Sequence, residues 1–471
     1  MPTFSIQNFG CRATDADAAA MRESLLLGGF SAAPTPGQAD VVVLNTCTVT
    51  GSADAQSREA IRKIHRANAR AKIVVTGCYA QRAPEELAAL DGVTAVVGNA
   101  FQTEIAEVAH GSISGACASL ISPAALRADA MSLARGPAKI LTNDIFGQVD
   151  IQLARGSTRA EDRTRPILKI QDGCNNRCSY CVIPSVRGRS RSLTPDSVIE
   201  EIEKLVGTGA REIVLSGINL GSYGRDLSPQ TSLMEICRRI LEETAIERLR
   251  FSSIEPQDIT EEFAALAASS KRIAPHFHVP LQSGSDRILR AMHRRYRAAH
   301  YAARIEALHR MLPDASIGAD VIAGFPGETR EDFQTTVDLI RGLPLSYLHV
   351  FSFSARPGTK AEAMEGGIAF EEIRERARLL REVSQEKAAA FRRSQTGRTL
   401  RALTLHRHGA GWTEAITGNY LRIRTTGDFE ANTWLELPVT ATLEEMAIPA
   451  SSLEAPCDSP YDLPKEIPLY S

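Results

Sequence analysis

Apolar residues along this chain follow two rhythms. Within residues 1–110, continuous apolar runs at Asp40–Leu44 (DVVVL), Lys72–Thr76 (KIVVT) and Val93–Gly98 (VTAVVG) are separated by helix-period stretches such as Ala16–Leu27 and Ser52–Ala69. Strands apolar on both faces and separated by helices predict a mostly parallel sheet covered by helices. Residues 111–165 lose the pattern and read as a linker with an irregular strand. From Pro166 the alternation resumes, with strands expected at Ile167–Gln171, Glu212–Ser216, Arg248–Ser253, Phe277–Leu281, Gly318–Ala323 and Tyr347–Phe353. Helices are expected at Pro195–Gly207, Ser232–Glu243, Asp258–Ala268, Asp286–Met311 and Arg330–Arg341. This order predicts a partial (β/α)6 barrel over residues 166–394, closed by a charged helix at Phe370–Ser394. Period-2 alternation in YLRIRT and LELPVTATL predicts a small β-barrel over residues 395–455, before a Pro-rich tail at 456–471. The fold class is therefore α/β.

Composition narrows the functions. Formal net charge is −2, so no global basic field advertises a nucleic-acid partner, and any RNA contact must come from local patches. No run of eighteen apolar residues occurs, which argues against a membrane span. The start MPTFSIQNFGC lacks the charged and apolar regions of a secretory signal, so a cytoplasmic location is expected. In that compartment thiols stay reduced, and clustered cysteines point to metal or catalysis. The nine cysteines, odd in number and widely scattered, do not resemble a disulfide framework.

Three of them stand together in ILKIQDGCNNRCSYC, directly after a predicted strand. With nine cysteines in 471 residues, three at fixed spacing are expected roughly 0.004 times by chance. Cys174, Cys178 and Cys181 suit a [4Fe–4S] cluster with one iron left open to a ligand. The alternatives are structural zinc and a thioredoxin-like Cys-x-x-Cys pair. Zinc sites usually take four ligands, and no further Cys or His follows within 50 residues; Cys174 stands against the redox pair.

A second set is dispersed. FSIQNFGC (Cys11), VVVLNTC (Cys47) and KIVVTGC (Cys78) each place one cysteine in the turn after an apolar strand. Ligands of open parallel sheets bind outside the carboxyl ends of strands, so these three can converge on a second cluster. The plainer alternative is buried, inert cysteine. Asn8 and Asn45 are expected to shape the turns. Cys117, Cys237 and Cys457 have no partner pattern.

CNNRCSYC resembles the signature of the radical S-adenosylmethionine superfamily. That resemblance implies that the open iron binds S-adenosylmethionine and that one-electron cleavage releases a 5′-deoxyadenosyl radical. It implies that Tyr180 packs near the cofactor's adenine and that Gly217, Glu255 and Gln282 line the cofactor pocket. Two clusters, with the radical triplet second, resemble the methylthiotransferases, in which the auxiliary cluster at Cys11, Cys47 and Cys78 carries the sulfur that is transferred. GAGWTEAITGNYLRIRT resembles the TRAM domain of that family. The reaction has physical logic: an aromatic C–H has no proton a general base can remove, whereas a cofactor-derived radical can take its hydrogen.

Among the branches of that family, the strings NTCTVT, GCYAQ, LSGINLGSYG, HFHVPLQSGSD, GADVIAGFPGET and LHVFSFSARPGT resemble the branch acting on N6-threonylcarbamoyladenosine of tRNA. The isopentenyladenosine branch carries Ile-Arg where this chain has Val49 and Thr50. A third branch acts on an aspartate of a ribosomal protein, and a non-catalytic RNA-binding redox sensor is the rival from another class. The resemblance implies tRNA as substrate and a reducing partner such as flavodoxin or ferredoxin. Arg187, Arg189 and Arg191 in VRGRSRS are candidate RNA contacts, as are Arg290, Arg294, Arg295, Arg297 and Arg304 on one expected helix.

Overall fold

The computed structural model describes residues 1–114, 138–148, 151, 164–409 and 411–439. A strand apolar on both faces must be covered on both, and the N-terminal sheet meets this need. Its strands are β1 (Thr3–Asn8), β2 (Ser31–Ala32), β3 (Val41–Thr46), β4 (Lys72–Gly77), β5 (Val93–Val97) and β6 (Lys139–Leu141), in the parallel order β2-β1-β3-β4-β5-β6. One face packs Val42, Leu44, Ile73 and Val75 against Ile61 and Ile64 of the helix Gly51–Ala67. The other packs Val41, Val43 and Val74 against Met21 and Leu25 of the helix Arg12–Leu27. The sheet takes its sixth strand from beyond residue 110, where the first domain was expected to end, and Ile140 buries in its core. Residues 115–137, most of 149–163, and the tail including Cys457 lie outside the described residues, as does Cys117.

The second region comprises β7 (Ile167–Asp172), β8 (Arg191–Ser192), β9 (Glu212–Gly217), β10 (Arg248–Phe251), β11 (His276–His278), β12 (Ser316–Ala323) and β13 (Tyr347–Ser352). β7, β9, β10, β11, β12 and β13 run parallel, the bridges Leu249–Ile273 and Ser253–His278 joining the two sheet segments into a partial barrel. β8 pairs antiparallel on the outer edge of β7. Crossover helices start where hydroxyls accept orphan backbone N–H groups, at Thr194, Ser232, Thr260 and Thr329. Ile213, Phe251, Phe277, Ile317 and Leu380 belong to one core, the last from the helix Phe370–Gln395.

One expected helix is two. Asp286–Met311 breaks into Asp286–Ala291 and Ala298–Met311. The helical period persists through the break, but other demands win there. The Asp286 carboxylate accepts the Ala298 N–H at 2.7 Å, His293 takes φ 57°, and Arg294 turns inward to an ion pair with Glu255.

The expected C-terminal barrel is an open, curled antiparallel sheet among the described residues, in the order β16-β15-β14-β17. Its strands are β14 (Thr399–Gly409), β15 (Trp412–Thr417), β16 (Arg422–Thr426) and β17 (Trp434–Pro438). It docks on the N-terminal ends of β9 and β10. Arg248 and Arg250 each donate to the buried Glu212 carboxylate (2.6 and 2.7 Å) and to backbone carbonyls of Ile416 and Thr417 (3.2 and 3.1 Å). Among the described residues, no helix is long and apolar enough to cross a membrane.

Candidate active site

The dispersed cysteines meet because their strands are neighbours. In the register of the sheet Asn8 lies opposite Asn45, and Thr46 opposite Gly77. Cys47 and Cys78 directly follow that last pair, and Cys11 follows the end of β1. Gly77, at φ 97°, is required: a Cβ would lie 2.4 Å from the Thr46 carbonyl oxygen. Asn8 and Asn45 do shape the turns, donating to the Asp15 carboxylate (2.6 Å) and the Thr14 carbonyl (2.8 Å). Cys47 and Cys78 are buried and Cys11 is exposed. Burial pushes the Cys47 thiol up to about 12, and the neighbouring Cys78 and Cys11 add to the rise. Burial raises Cys78 as well, against the opposing charge of Arg187.

The local triplet sits in the loop after β7. Gly173, at φ 70°, lets this loop pass the next one closely, since a Cβ would lie 2.0 Å from the Arg189 carbonyl oxygen. The Asn176 backbone N–H points at the Cys174 sulfur at 3.4 Å, and the Asn219 amide approaches it at 4.0 Å. Burial raises Cys174, and pushes Cys181 up to about 12 with Cys178 adding.

Each set has a resident guanidinium. Arg187, only 2% exposed, donates its Nε–H to the Cys78 sulfur at 3.3 Å. Its remaining donors reach Asp17 Oδ2 (2.8 Å) and Asp172 Oδ1 (3.1 Å), and Lys169 bridges the same two carboxylates. Arg294 donates to the Cys178 sulfur at 3.5 Å and pairs with Glu255. Sulfurs that accept N–H bonds beside a fixed cation are the environment that stabilises anionic cluster ligands and tunes their potential. Among the described residues, the only three potential ligand atoms that lie within 4.8 Å of one another belong to His278, Asp320 and His349. Three thiols with a guanidinium fixed on one sulfur suit an iron–sulfur cube, which leaves one vertex open, whereas a structural zinc takes four ligands.

The two halves are locked beside these sets. Arg356, after β13, pairs with Asp54 and donates to Thr48 Oγ1 at 3.0 Å, and Arg82 donates to the same aspartate at 2.9 Å. Between the halves lies a cavity of about 160 Å³ lined by Val49, Thr50, Tyr180, Gln282, Asp320 and Phe351, among others.

The other expected residues fall as follows. Tyr180 lines this cavity and meets the Phe325 ring edge-on at 6.5 Å. Gln282 lines it too, at φ 67°, a conformation unusual for a residue with a side chain. Gly217 ends β9 with its N–H 3.3 Å from Ser252 Oγ, where a Cβ would press on the Gln171 side chain at 2.9 Å. Glu255 is half-buried and holds Arg294. Of the arginine trio proposed for RNA, only Arg189 is exposed. Arg187 and Arg191 are buried because Asp172 draws both inward, and Arg187, which also pairs with Asp17, faces the second cysteine set. Arg294 is likewise withdrawn from any surface stripe. Cys237 is buried in the barrel core, where burial alone raises its thiol. Sequence reasoning missed the partners Asp17, Lys169 and Asp172. A signal existed in LKIQD, whose polar Lys169 and Gln171 alternate with apolar residues and so face the barrel interior together.

A six-stranded partial barrel with three thiols in the loop after its first strand defines a radical S-adenosylmethionine enzyme. Residues 168–340 match the radical SAM superfamily, and residues 3–98 match an uncharacterized protein family, UPF0004. The threonylcarbamoyladenosine tRNA methylthiotransferase MtaB of Aquifex aeolicus is 34% identical over 423 residues, 90% of this chain and 96% of the relative. Its namesake in Bacillus subtilis is 36% identical over 394 residues, 83% of this chain and 82% of the relative. A tRNA-2-methylthio-N(6)-dimethylallyladenosine synthase of Thermobifida fusca is 32% identical over 401 residues, 83% of this chain and 76% of the relative. In fold, the chain is similar to the radical S-adenosylmethionine methyltransferase TsrM of Kitasatospora setae, with a TM-score of 0.54 at 18% identity, covering 77% of this chain and 74% of that one. The chain belongs to the radical SAM methylthiotransferase family, enzymes that use iron–sulfur clusters and S-adenosylmethionine.

Proposed function

We propose that this protein transfers a methylthio group to C2 of N6-threonylcarbamoyladenosine at position 37 of tRNA. The carrying observation is the cavity walled from both halves. Val49 and Thr50, just after Cys47, face Tyr180, which lies between Cys178 and Cys181. A base held there has one thiol set on either side. The relatives named for threonylcarbamoyladenosine, similar over most of the chain, support this substrate.

When bound, the two [4Fe–4S] clusters and S-adenosylmethionine supply the one-electron chemistry and the sulfur and methyl group that no side chain offers. Cys174, Cys178 and Cys181 hold one cluster and leave a vertex for S-adenosylmethionine; Cys11, Cys47 and Cys78 hold the other. Arg294 and Arg187 each place a positive N–H on one sulfur of their set. Tyr180, Phe351 and Phe353 give the cavity apolar walls that keep water from a reactive carbon centre. Gly217 and Gln282 shape the cofactor end. Arg189, exposed beside the loop, contacts an RNA phosphate, so binding weakens with salt. The electron donor is a flavodoxin or ferredoxin, and the protein works in the cytoplasm, where tRNA is.

The test is mass spectrometry of tRNA nucleosides from a strain lacking the gene. Loss of the methylthio form of threonylcarbamoyladenosine is expected. Loss of the isopentenyl counterpart instead, with the threonylcarbamoyl form intact, refutes this substrate.

A further inference from the structure

The inner face of the last barrel strands carries polar groups that cluster ligation does not use. β12 and β13 are in parallel register, with Gly318 opposite Tyr347, Asp320 opposite His349 and Ile322 opposite Phe351. Alternation puts these pairs on one face, and that face points inward. The Tyr347 ring stacks on His276 and His278 of β11 at 6.0 and 6.2 Å, while Asp320, Ile322 and Phe351 line the cavity. Gly318 makes room for this arrangement, since a Cβ would lie 2.1 Å from the Tyr347 ring.

At mid-height, His278 Nε2 and His349 Nδ1 lie 3.1 and 3.3 Å from the same Asp320 oxygen. The other nitrogen of His278 is 2.8 Å from Ser253 Oγ, which fixes that ring. Burial pushes His278 below its usual range, against the opposing pull of the Asp320 carboxylate. Burial opposes ionisation of Asp320, but its contacts with both imidazoles outweigh it and hold the carboxyl below the usual range. Side-chain exposure climbs from 7% at His278 through 20% at Asp320, which lines the cavity, to 38% at His349. Two histidines and a carboxylate can form a metal triad. Here the imidazoles stack, with centroids 4.8 Å apart and planes 29° from parallel, and a nitrogen of each is already turned to the one Asp320 oxygen. Arg12, next to Cys11, reaches the same interior. It donates to the Phe251 carbonyl (3.2 Å) and the Tyr420 hydroxyl (3.4 Å), and its charge is felt at His276 and His278.

We propose that Asp320 and His349 read the substituent on N6 of the substrate purine, selecting a polar amino-acid urea over an apolar prenyl chain. This deepens the substrate reading above and rests on it. A threonylcarbamoyl group presents urea N–H donors, a hydroxyl and a carboxylate. Asp320 is an acceptor for the donors, and the His349 imidazole beside it can hydrogen-bond the hydroxyl. Phe351, 38% exposed and two residues beyond His349 on the same face, offers its ring to the base. A prenyl chain has no polar atom to offer Asp320 or His349. Sites built around such hydrogen bonds reject analogues that lack them far more strongly than apolar pockets reject extra bulk.

The test uses cluster-loaded enzyme under anaerobic conditions on two anticodon stem–loops, one bearing threonylcarbamoyladenosine and one isopentenyladenosine. Asp320→Asn and His349→Leu should each lower kcat/KM on the first RNA by about 10- to 100-fold. The loss should fall mainly in KM, and the preference between the two RNAs should shrink. His349→Asn, which keeps a donor, should recover part of that preference. The preference compares two RNAs within one preparation, so any deficit in folded protein or iron cancels. An unchanged preference in both variants overturns the inference. A wild-type enzyme that prefers the isopentenyl loop refutes the substrate reading and this one with it. A divalent cation bound one per chain beyond the cluster iron, and lost in His349→Leu, would make the trio a metal site and also overturn the inference.

Discussion

The two cysteine sets reach one end by opposite routes. Cys174, Cys178 and Cys181 lie within eight consecutive residues, and one loop suffices to gather them. Cys11, Cys47 and Cys78 stand 36 and 31 residues apart and meet only because β1, β3 and β4 are parallel neighbours. Their settings differ too. Arg294 is held by Glu255 within the barrel, whereas Arg187, from the barrel segment, is held by Asp17 of the N-terminal half and Asp172 at the end of β7. A local set survives wherever its loop goes. A topological set needs the sheet, the domain interface and a buried charge balance to be right together.

The largest effect should come from Cys174→Ala. It should abolish reductive formation of 5′-deoxyadenosine from S-adenosylmethionine and remove about half of the iron. Retained 5′-deoxyadenosine would contradict the assignment of that set. Cys47→Ala should also lose about half of the iron and all methylthio product, yet still form 5′-deoxyadenosine. A fully active Cys47→Ala variant would leave the dispersed set without a role.

Arg187→Ala sharpens the contrast in stability. It leaves Asp17 and Asp172 buried with one cation fewer, which should cost about 3–5 kcal/mol in denaturant unfolding of the cluster-free protein. Arg189→Ala, exposed two residues on, should stay within about 0.5 kcal/mol. Equal effects would mean the buried network does not support the interface. The smallest effect is remote from both sets, at the dock of the C-terminal sheet. Burial opposes ionisation of Glu212, but Arg248, Arg250 and Arg165 prevail and hold it at about 2 against an ordinary 4.5. Its stabilisation, roughly 3 kcal/mol, is complete above pH 4.5 and lost as pH falls toward 2. Thermal unfolding of Glu212→Gln should show a correspondingly shallower pH dependence across that window; a slope matching wild type would remove Glu212 from the balance.

Regular elements were legible wherever the signal is local. The helix Pro195–Gly207 falls as its Thr194-Pro195 start and apolar period predict, and β4 ends one residue past its expected limit because Gly77 still pairs with Thr46. The break in Asp286–Met311 was not legible, since besides the local Asp286 carboxylate it draws on a carboxylate at residue 255 and a sulfur at 178. The arginines of VRGRSRS misled for a related reason. Spacing marks a cation, but whether it meets phosphate or a buried carboxylate depends on what folds over it.

By itself the sequence determined the alternation of strands and helices, the cysteine loop after β7, and the placing of single cysteines at three strand ends. These follow from periodicity and spacing, which act over a few residues. Only the tertiary structure decided that Arg187 faces Cys78 while Arg189 faces solvent, and that Asp320 lies between two histidines. Arg187 meets Asp17 across 170 positions of chain, and such pairings are set by burial, which forces a charge to find its partner wherever the fold has put one.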